Sequence, residues 1–147
     1  MVGHRWRETM TNGGIEEYRP HEGEEYMGER QLQWFEAHLV EWREDILRTA
    51  GGTLEGLRET SLRDPDMTDR ASNEADWATE LRTRDRQRKL LSKIAQALGR
   101  IRDGEYGYCL VTGEPIGIRR LIARPTASMT VAAQEAHERR ERISRAA

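Results

Sequence analysis

Cys109 and Thr112 have the spacing of one Cys-x-x-Cys half-site, and Thr130 and Ala133 repeat it after 17 intervening residues. A structural zinc ion needs four thiolate or imidazole ligands, commonly from two such halves. Threonine is a poor neutral ligand and alanine offers no donor. The four histidines, His4, His21, His38 and His137, do not occupy these places. The donor set therefore predicts no zinc, and metal-ligand chemistry is not expected at Cys109, Thr112, Thr130 or Ala133. As the single cysteine of the chain, Cys109 excludes an internal disulfide and suits a reducing compartment. A small, partly buried and inert thiol is the ordinary reading; redox sensing is its rival.

Two further groups of residues could act on a partner. Asp66 and Asp69 stand three apart, with Met67 and Thr68 between them. On a turn entering a helix they can point the same way. Such carboxylates can accept charge-assisted hydrogen bonds from Arg or Lys, or approach a magnesium ion; they can equally serve as turn formers and helix caps. The second group is a basic tract, in which Arg86, Leu90 and Lys93 share one helix face. It suits an anion pocket, solvated ion pairs or a contact with another protein. DNA binding is disfavoured, because acidic residues flank the tract and no reader motif is present.

The positioning elements are legible from periodicity. Leu32, Phe35, Leu39, Trp42 and Ile46 advance by 3, 4, 3 and 4, the step of a heptad seam. Leu54 and Leu57 extend that stripe, although Gly51, Gly52 and Gly56 weaken the helix there. Pro65 should end the first helix by Arg63 or Asp64, and Asp66 or Thr68 can cap a second. Trp77, Leu81, Leu91, Ile94, Leu98 and Ile101 form the stripe of that second helix, which should stop near Gly104. Near Arg84 and Arg88 no apolar residue fills the seam, so either the hairpin is weaker there or these side chains lay their stems over the partner helix.

Apolar residues make up 36% and charged residues 34% of the 147-residue chain, too polar for a thick core. The expected fold is mainly α: a long antiparallel coiled-coil hairpin over 30–103 with its tip at 61–71. Residues 1–29 form an N-terminal segment, loosely ordered or part of a globular base. A small module and a C-terminal helix follow over 104–147. The formal net charge of −2 gives no global pull toward nucleic acid or an anionic membrane. Charge is nonetheless segregated: residues 59–80 hold seven acids against two arginines, and residues 82–102 eight bases against one acid. With no long apolar run and no signal-peptide core, a soluble cytoplasmic protein is expected.

Several motifs, in order and spacing, resemble the DksA family of bacterial transcription factors. They are Glu-Glu-Tyr-Met at 24–27, Asp-Arg-Ala at 69–71 and Glu-Leu-Arg-Thr-Arg-Asp-Arg-Gln-Arg-Lys-Leu at 80–90. They continue through Tyr-Gly-Tyr-Cys at 106–109, Glu-Pro-Ile-Gly-Ile-Arg-Arg-Leu at 114–121 and Ala-Arg-Pro-Thr-Ala at 123–127. The family pattern has cysteines at all four knuckle positions, so this chain looks like a zinc-independent variant with a degenerate zinc-finger-like module. A miniature core of Leu110, Val111, Thr112, Met129, Thr130, Val131, Ala132 and Ala133 is expected in place of the metal.

The resemblance implies a non-enzymatic, monomeric regulator that binds RNA polymerase through its secondary channel and destabilises open promoter complexes. It implies that Asp66, Asp69, Arg70 and Ala71 are the tip that reaches the active centre. It also implies a site for the alarmone ppGpp, as effector at the polymerase interface, at Arg86, Leu90, Lys93 and Arg124. A nearby family lysine is Gln134 here. No other cofactor, direct DNA contact or membrane partner is expected. A transcript-cleavage or elongation factor acting in the same channel, and a non-catalytic coiled-coil adaptor, are the alternatives.

Overall fold

The computed structural model describes the backbone of residues 18–61 and 67–147 and the side chains of 18–51 and 72–147. Two long helices, α1 (Glu29–Ser61) and α2 (Met67–Asp103), pack together as a hairpin. Two shorter ones, α3 (Ile118–Ala123) and α4 (Val131–Ala146), belong to the base. With 37 residues, α2 is about 55 Å long. Among the described residues the only β feature is an isolated antiparallel bridge between Tyr108 and Pro115. No described helix is long and apolar enough to cross a membrane.

The α1 seam follows the heptad spacing. Phe35, Leu39 and Ile46 are buried, and Leu32 and Trp42 pack against them. The seam of α2 departs from expectation. Leu81 is 56% exposed, and Arg88 turns outward to pair with Asp85 at 2.8 Å. The inward positions are instead Asn73, Trp77, Glu80, Arg84, Gln87, Leu91, Ile94, Leu98 and Ile101, all at least partly buried. They advance alternately by four and three, so the heptad never breaks. Its middle is simply polar, and the apolar Leu81 lies one position off the stripe.

Both helices are ended by local chemistry. At the start of α1, the Oε1 of Gln31 accepts the Met27 N–H at 2.9 Å, one residue before the N-cap position. Its Nε2 donates to the His21 carbonyl at 3.2 Å and to Glu24 at 3.1 Å. Gln31 is only 1% exposed, so this one buried amide fastens the preceding turns to the helix. Residues 18–28 thus belong to the base, one of the two arrangements expected for residues 1–29; residues 1–17 lie outside the described part. At the end of α2, Gly104 takes a left-handed φ of 76°, and the N–H groups of Glu105 and Tyr106 return to the Arg100 carbonyl. Arg100 and Arg102 in the last turn suit the negative end of the helix dipole.

One apolar cluster joins the lower hairpin to the base: Phe35, Ile94, Tyr106, Ile116, Ile118 and Leu121 are among its buried members. Tyr106 stacks obliquely on Phe35 at 5.4 Å, and its hydroxyl donates to the Pro125 carbonyl at 2.8 Å. Tyr26 closes the other side, donating to the Gly107 carbonyl while accepting the Gly117 N–H at 3.0 Å.

Two glycines make opposite predictions. Gly107 has φ 92°, and a Cβ there would lie 2.6 Å from Met27 Cγ. Gly107→Ala should cost about 2–3 kcal/mol in a denaturant melt, from backbone strain plus overpacking. Gly51, inside α1, would find nothing within 4 Å of an added Cβ. Gly51→Ala should therefore gain about 0.5–1 kcal/mol in the same measurement, through helix propensity.

Candidate functional site

The knuckle is built from backbone hydrogen bonds. Cys109 N–H donates to the Glu114 carbonyl at 2.8 Å, and Gly113 N–H returns to the Cys109 carbonyl at 2.9 Å. Leu110 N–H reaches the Ser128 carbonyl at 2.9 Å, joining the first turn to the second. Thr112 Oγ1 accepts the Glu114 N–H at 3.3 Å. Thr130 is the N-cap of α4, its Oγ1 accepting the Ala133 N–H at 3.2 Å. Two threonines that stand at metal-ligand spacing are thereby occupied as local caps, and Ala133 is buried with no donor to give. Among the described residues no group of three or more His, Cys, Asp and Glu could hold a metal ion. These residues do not fit a four-thiolate zinc site.

Most of the expected miniature core does not form. Leu110 and Val111 are 62% and 61% exposed, and Val131 and Ala132 also face solvent. Of the expected set, Ala133 is buried and Met129 packs against the main cluster. The turn presents its apolar residues outward because its backbone is committed to the hydrogen bonds above. Ile116, Ile118 and Leu121 fill the interior.

Cys109 is 3% exposed. Burial alone raises its pKa. The Thr112 hydroxyl and the backbone N–H groups of Thr130, Thr112 and Val111 outweigh that and bring it down to about 6.

A second feature lies between the lower end of α2, α3 and α4. It is a cleft of about 360 Å³, with Lys93, Arg100, Arg120 and Arg124 among its lining residues and Glu138 and Glu141 on the α4 wall. Lys93 and Arg100 share one α2 face, two turns apart. Arg120 is fixed by its Nε, which donates to the Met129 carbonyl at 3.0 Å. Arg124 is the C-cap residue of α3. Burial lowers the Arg100 pKa, and the nearby Tyr106 partly offsets this. Gln134 also lines the cleft and donates to Glu138 at 2.8 Å.

Of the four residues assigned to an anion site from the sequence, Lys93 and Arg124 meet at this cleft. Arg86 and Leu90 do not line it; Arg86 is exposed and Leu90 packs against the core. Arg100 and Arg120 also line the cleft, beyond the residues expected from the sequence. Arg100 could have been found by extending the Lys93 face by seven residues, whereas nothing in the sequence marks which of Arg119 and Arg120 turns inward. Arg119 pairs outward with Glu22 at 3.2 Å. At the far end of the hairpin, Asp69, Arg70 and Ala71 fall within the first turns of α2. Asp66 and the side chains of all four tip residues lie outside the described part.

Comparison with known proteins gives this architecture a family. The model described as DnaK suppressor protein DksA, N-terminal domain, matches residues 31–101. That described as prokaryotic dksA/traR C4-type zinc finger matches residues 104–139. A protein of Caulobacter vibrioides named RNA polymerase-binding transcription factor DksA is 58% identical over 129 residues, 88% of this chain and 91% of its own length. This chain belongs to the DksA family. Its Escherichia coli member of the same name is 41% identical over 129 residues, 88% of this chain and 85% of its own. Among solved structures, the transcription factor DksA2 from Pseudomonas aeruginosa superposes with a TM-score of 0.73. It shares 43% identity, over 80% of this chain and 90% of its own. The coiled-coil hairpin and finger-like module are thus the DksA fold, with three knuckle cysteines replaced.

The Cys109 environment sets a pH dependence. A folded pKa of about 6, below that of an unfolded cysteine at about 8.5, means the native state favours the thiolate. The stability it contributes is complete above the unfolded value and is lost as pH falls through 6. Thermal melts from pH 6 to 9 should show a rise in stability for the wild type that Cys109→Ser lacks.

Proposed function

We propose that this protein is a non-enzymatic bacterial transcription regulator that binds RNA polymerase directly, with the hairpin entering the secondary channel. The observation that carries this reading is the family membership over most of the chain, joined to a two-helix rod projecting from a closed base. The RNA polymerase-binding relatives support the partner, and the length of α2, about 55 Å, supports a reach into a deep, narrow passage. Asp66, Asp69, Arg70 and Ala71 act at the tip. The two carboxylates accept charge-assisted hydrogen bonds from basic groups near the active centre, and Ala71 permits close approach. By favouring one polymerase conformation over another, the tip shortens the life of open promoter complexes.

The base acts with ppGpp. Lys93 and Arg124 contribute charge from the cleft, and Arg86 and Leu90 border its ligand one to two turns farther up α2. Gln134, in place of a family lysine, contributes no charge. The module works without zinc, and the protein acts as a cytoplasmic monomer.

Open-complex lifetimes with the homologous polymerase test the tip. Asp69→Asn should restore the lifetime toward that without factor at saturating binding, with a loss of effect of about tenfold, the size of one charge-assisted bond. Undiminished destabilisation by this variant would remove the tip from the mechanism, and transcript cleavage in stalled complexes would favour the cleavage-factor reading. For the effector, Lys93→Ala should raise the ppGpp concentration for half-maximal response about tenfold. An unchanged response would exclude Lys93.

A further inference from the structure

We infer that residues 1–17 return along an aromatic ridge of α1 and seat Trp6 against His38 and Trp42. The occupant of this flank of the rod is then the chain's own N-terminal segment. The inference is independent of the polymerase reading.

The ridge consists of four side chains at steps of four on α1: Arg30, Trp34, His38 and Trp42. Side chains so spaced lie one above the other. Trp34 stacks on His38 with ring centroids 3.7 Å apart and meets Phe35 edge to face at 5.1 Å. Trp34, His38 and Trp42 are each half-buried, and both tryptophans pack against the core. His38 and Trp42 each take part in a further contact, which a segment lying on the ridge would supply. At the foot of the ridge, the Arg30 guanidinium lies 4.0 Å from the centre of the Tyr18 ring. The Tyr18 hydroxyl also donates to Glu24 at 2.6 Å, so the first described residue is anchored beside the ridge.

Length, residue type and charge fit the preceding segment to this ridge. Twelve residues separate Trp6 from Tyr18, and twelve separate Arg30 from Trp42. On the helix that interval is about 18 Å. Twelve residues cover the same distance as a helix and up to about 40 Å when extended, so Trp6 reaches the level of Trp42 in either form. Trp6 is the only aromatic residue among residues 1–17. Its indole would meet two rings, with the offset or edge-on packing that aromatic groups favour. Arg5 and Arg7 flank it. Glu41 stands seven residues from Trp34 and three from His38, on the same flank of α1. It is exposed and forms no ion pair among the described residues. One arginine beside Trp6 can therefore pair with Glu41 as the ring seats. A partner approaching the rod on this flank would meet Trp6 and its arginines before α1.

The test is NMR of the full chain, with NOE spectra of the aromatic rings and exchange of the indole N–H groups. The expected result is cross-peaks from Trp6 to His38 and Trp42 that persist on dilution. Trp6→Ala should move the Trp42 indole signal and quicken its exchange severalfold, while the Trp77 signal on α2 stays in place. Glu41→Lys should weaken the same cross-peaks. Neither residue belongs to the described core, so both variants keep the fold. Absence of the cross-peaks, or an unmoved Trp42 signal in Trp6→Ala, would overturn the inference. Cross-peaks that arise only between labelled and unlabelled chains, and fade on dilution, would assign the ridge to a second copy and overturn it equally.

Discussion

The packing of Tyr106 against Phe35 is the contact on which the rest of the architecture depends. Phe35 sits in the first turns of α1, and Tyr106 follows the glycine that ends α2. Their contact therefore fixes both roots of the hairpin at one place. The Tyr106 hydroxyl reaches onward to Pro125, which brings the segment before α4 to the same point. Burying two aromatic side chains is worth about 2–3 kcal/mol each, and their mutual contact about 0.5–1.5 kcal/mol more. A rod held only by its own seam could pivot at its base. Here its roots and the knuckle share one core, so the direction of the rod is set by the base.

That core also explains how the knuckle can dispense with thiolates. A structural zinc ion brings about 10–16 kcal/mol of apparent binding free energy, concentrated on four side chains. Each backbone hydrogen bond of the knuckle contributes about 0.5–1.5 kcal/mol net, so the few present cannot match it alone. Burial of Ile116, Ile118, Leu121, Ala127 and Ala133, and the Tyr26 clamp across Gly107 and Gly117, add to them. Organisation of the module is thereby tied to the hairpin roots rather than to an independent centre. Gln31 carries the same logic to the other side, where one buried amide satisfies three partners and leaves no orphan of its own.

What could be read from the sequence follows the strength of the apolar signal. The α1 seam was legible because every position from Leu32 to Ile46 is apolar. The α2 seam is obscured at Leu81, where residue type and spacing disagree; seven residues on from Trp77 falls Arg84, and seven more Leu91, so the spacing carries the register. Leu110, Val111 and Val131 misled in the same way, because their types suggest burial while the turn's backbone pairing sends them outward. The cleft was half legible. Lys93 and Arg124 carry the family signature, whereas Arg120 depends on the rotation of a six-residue helix that no periodicity determines. Gln31 gave no sequence signal at all, since a buried glutamine and an exposed one look alike until their partners are known.

The polar stretch of the α2 seam gives the two ends of the molecule different mechanical characters. Near the base, Ile94, Ala97, Phe35 and Leu39 are fully buried and pack as a dry interface. Farther out, Glu80, Arg84 and Gln87 occupy the inward positions, and each retains partial access to water. Such a seam keeps register through its spacing while contributing little hydrophobic stabilisation, so it opens more readily than the apolar part. Gly51 on α1 adds to this, since its site has room for a side chain and its glycine only lowers helix propensity. The charge boundary falls farther out, between residues 80 and 82, so the polar seam runs beside five of the eight basic residues of 82–102. A dry root and a more polar outer seam thus give the described hairpin unequal resistance to local opening.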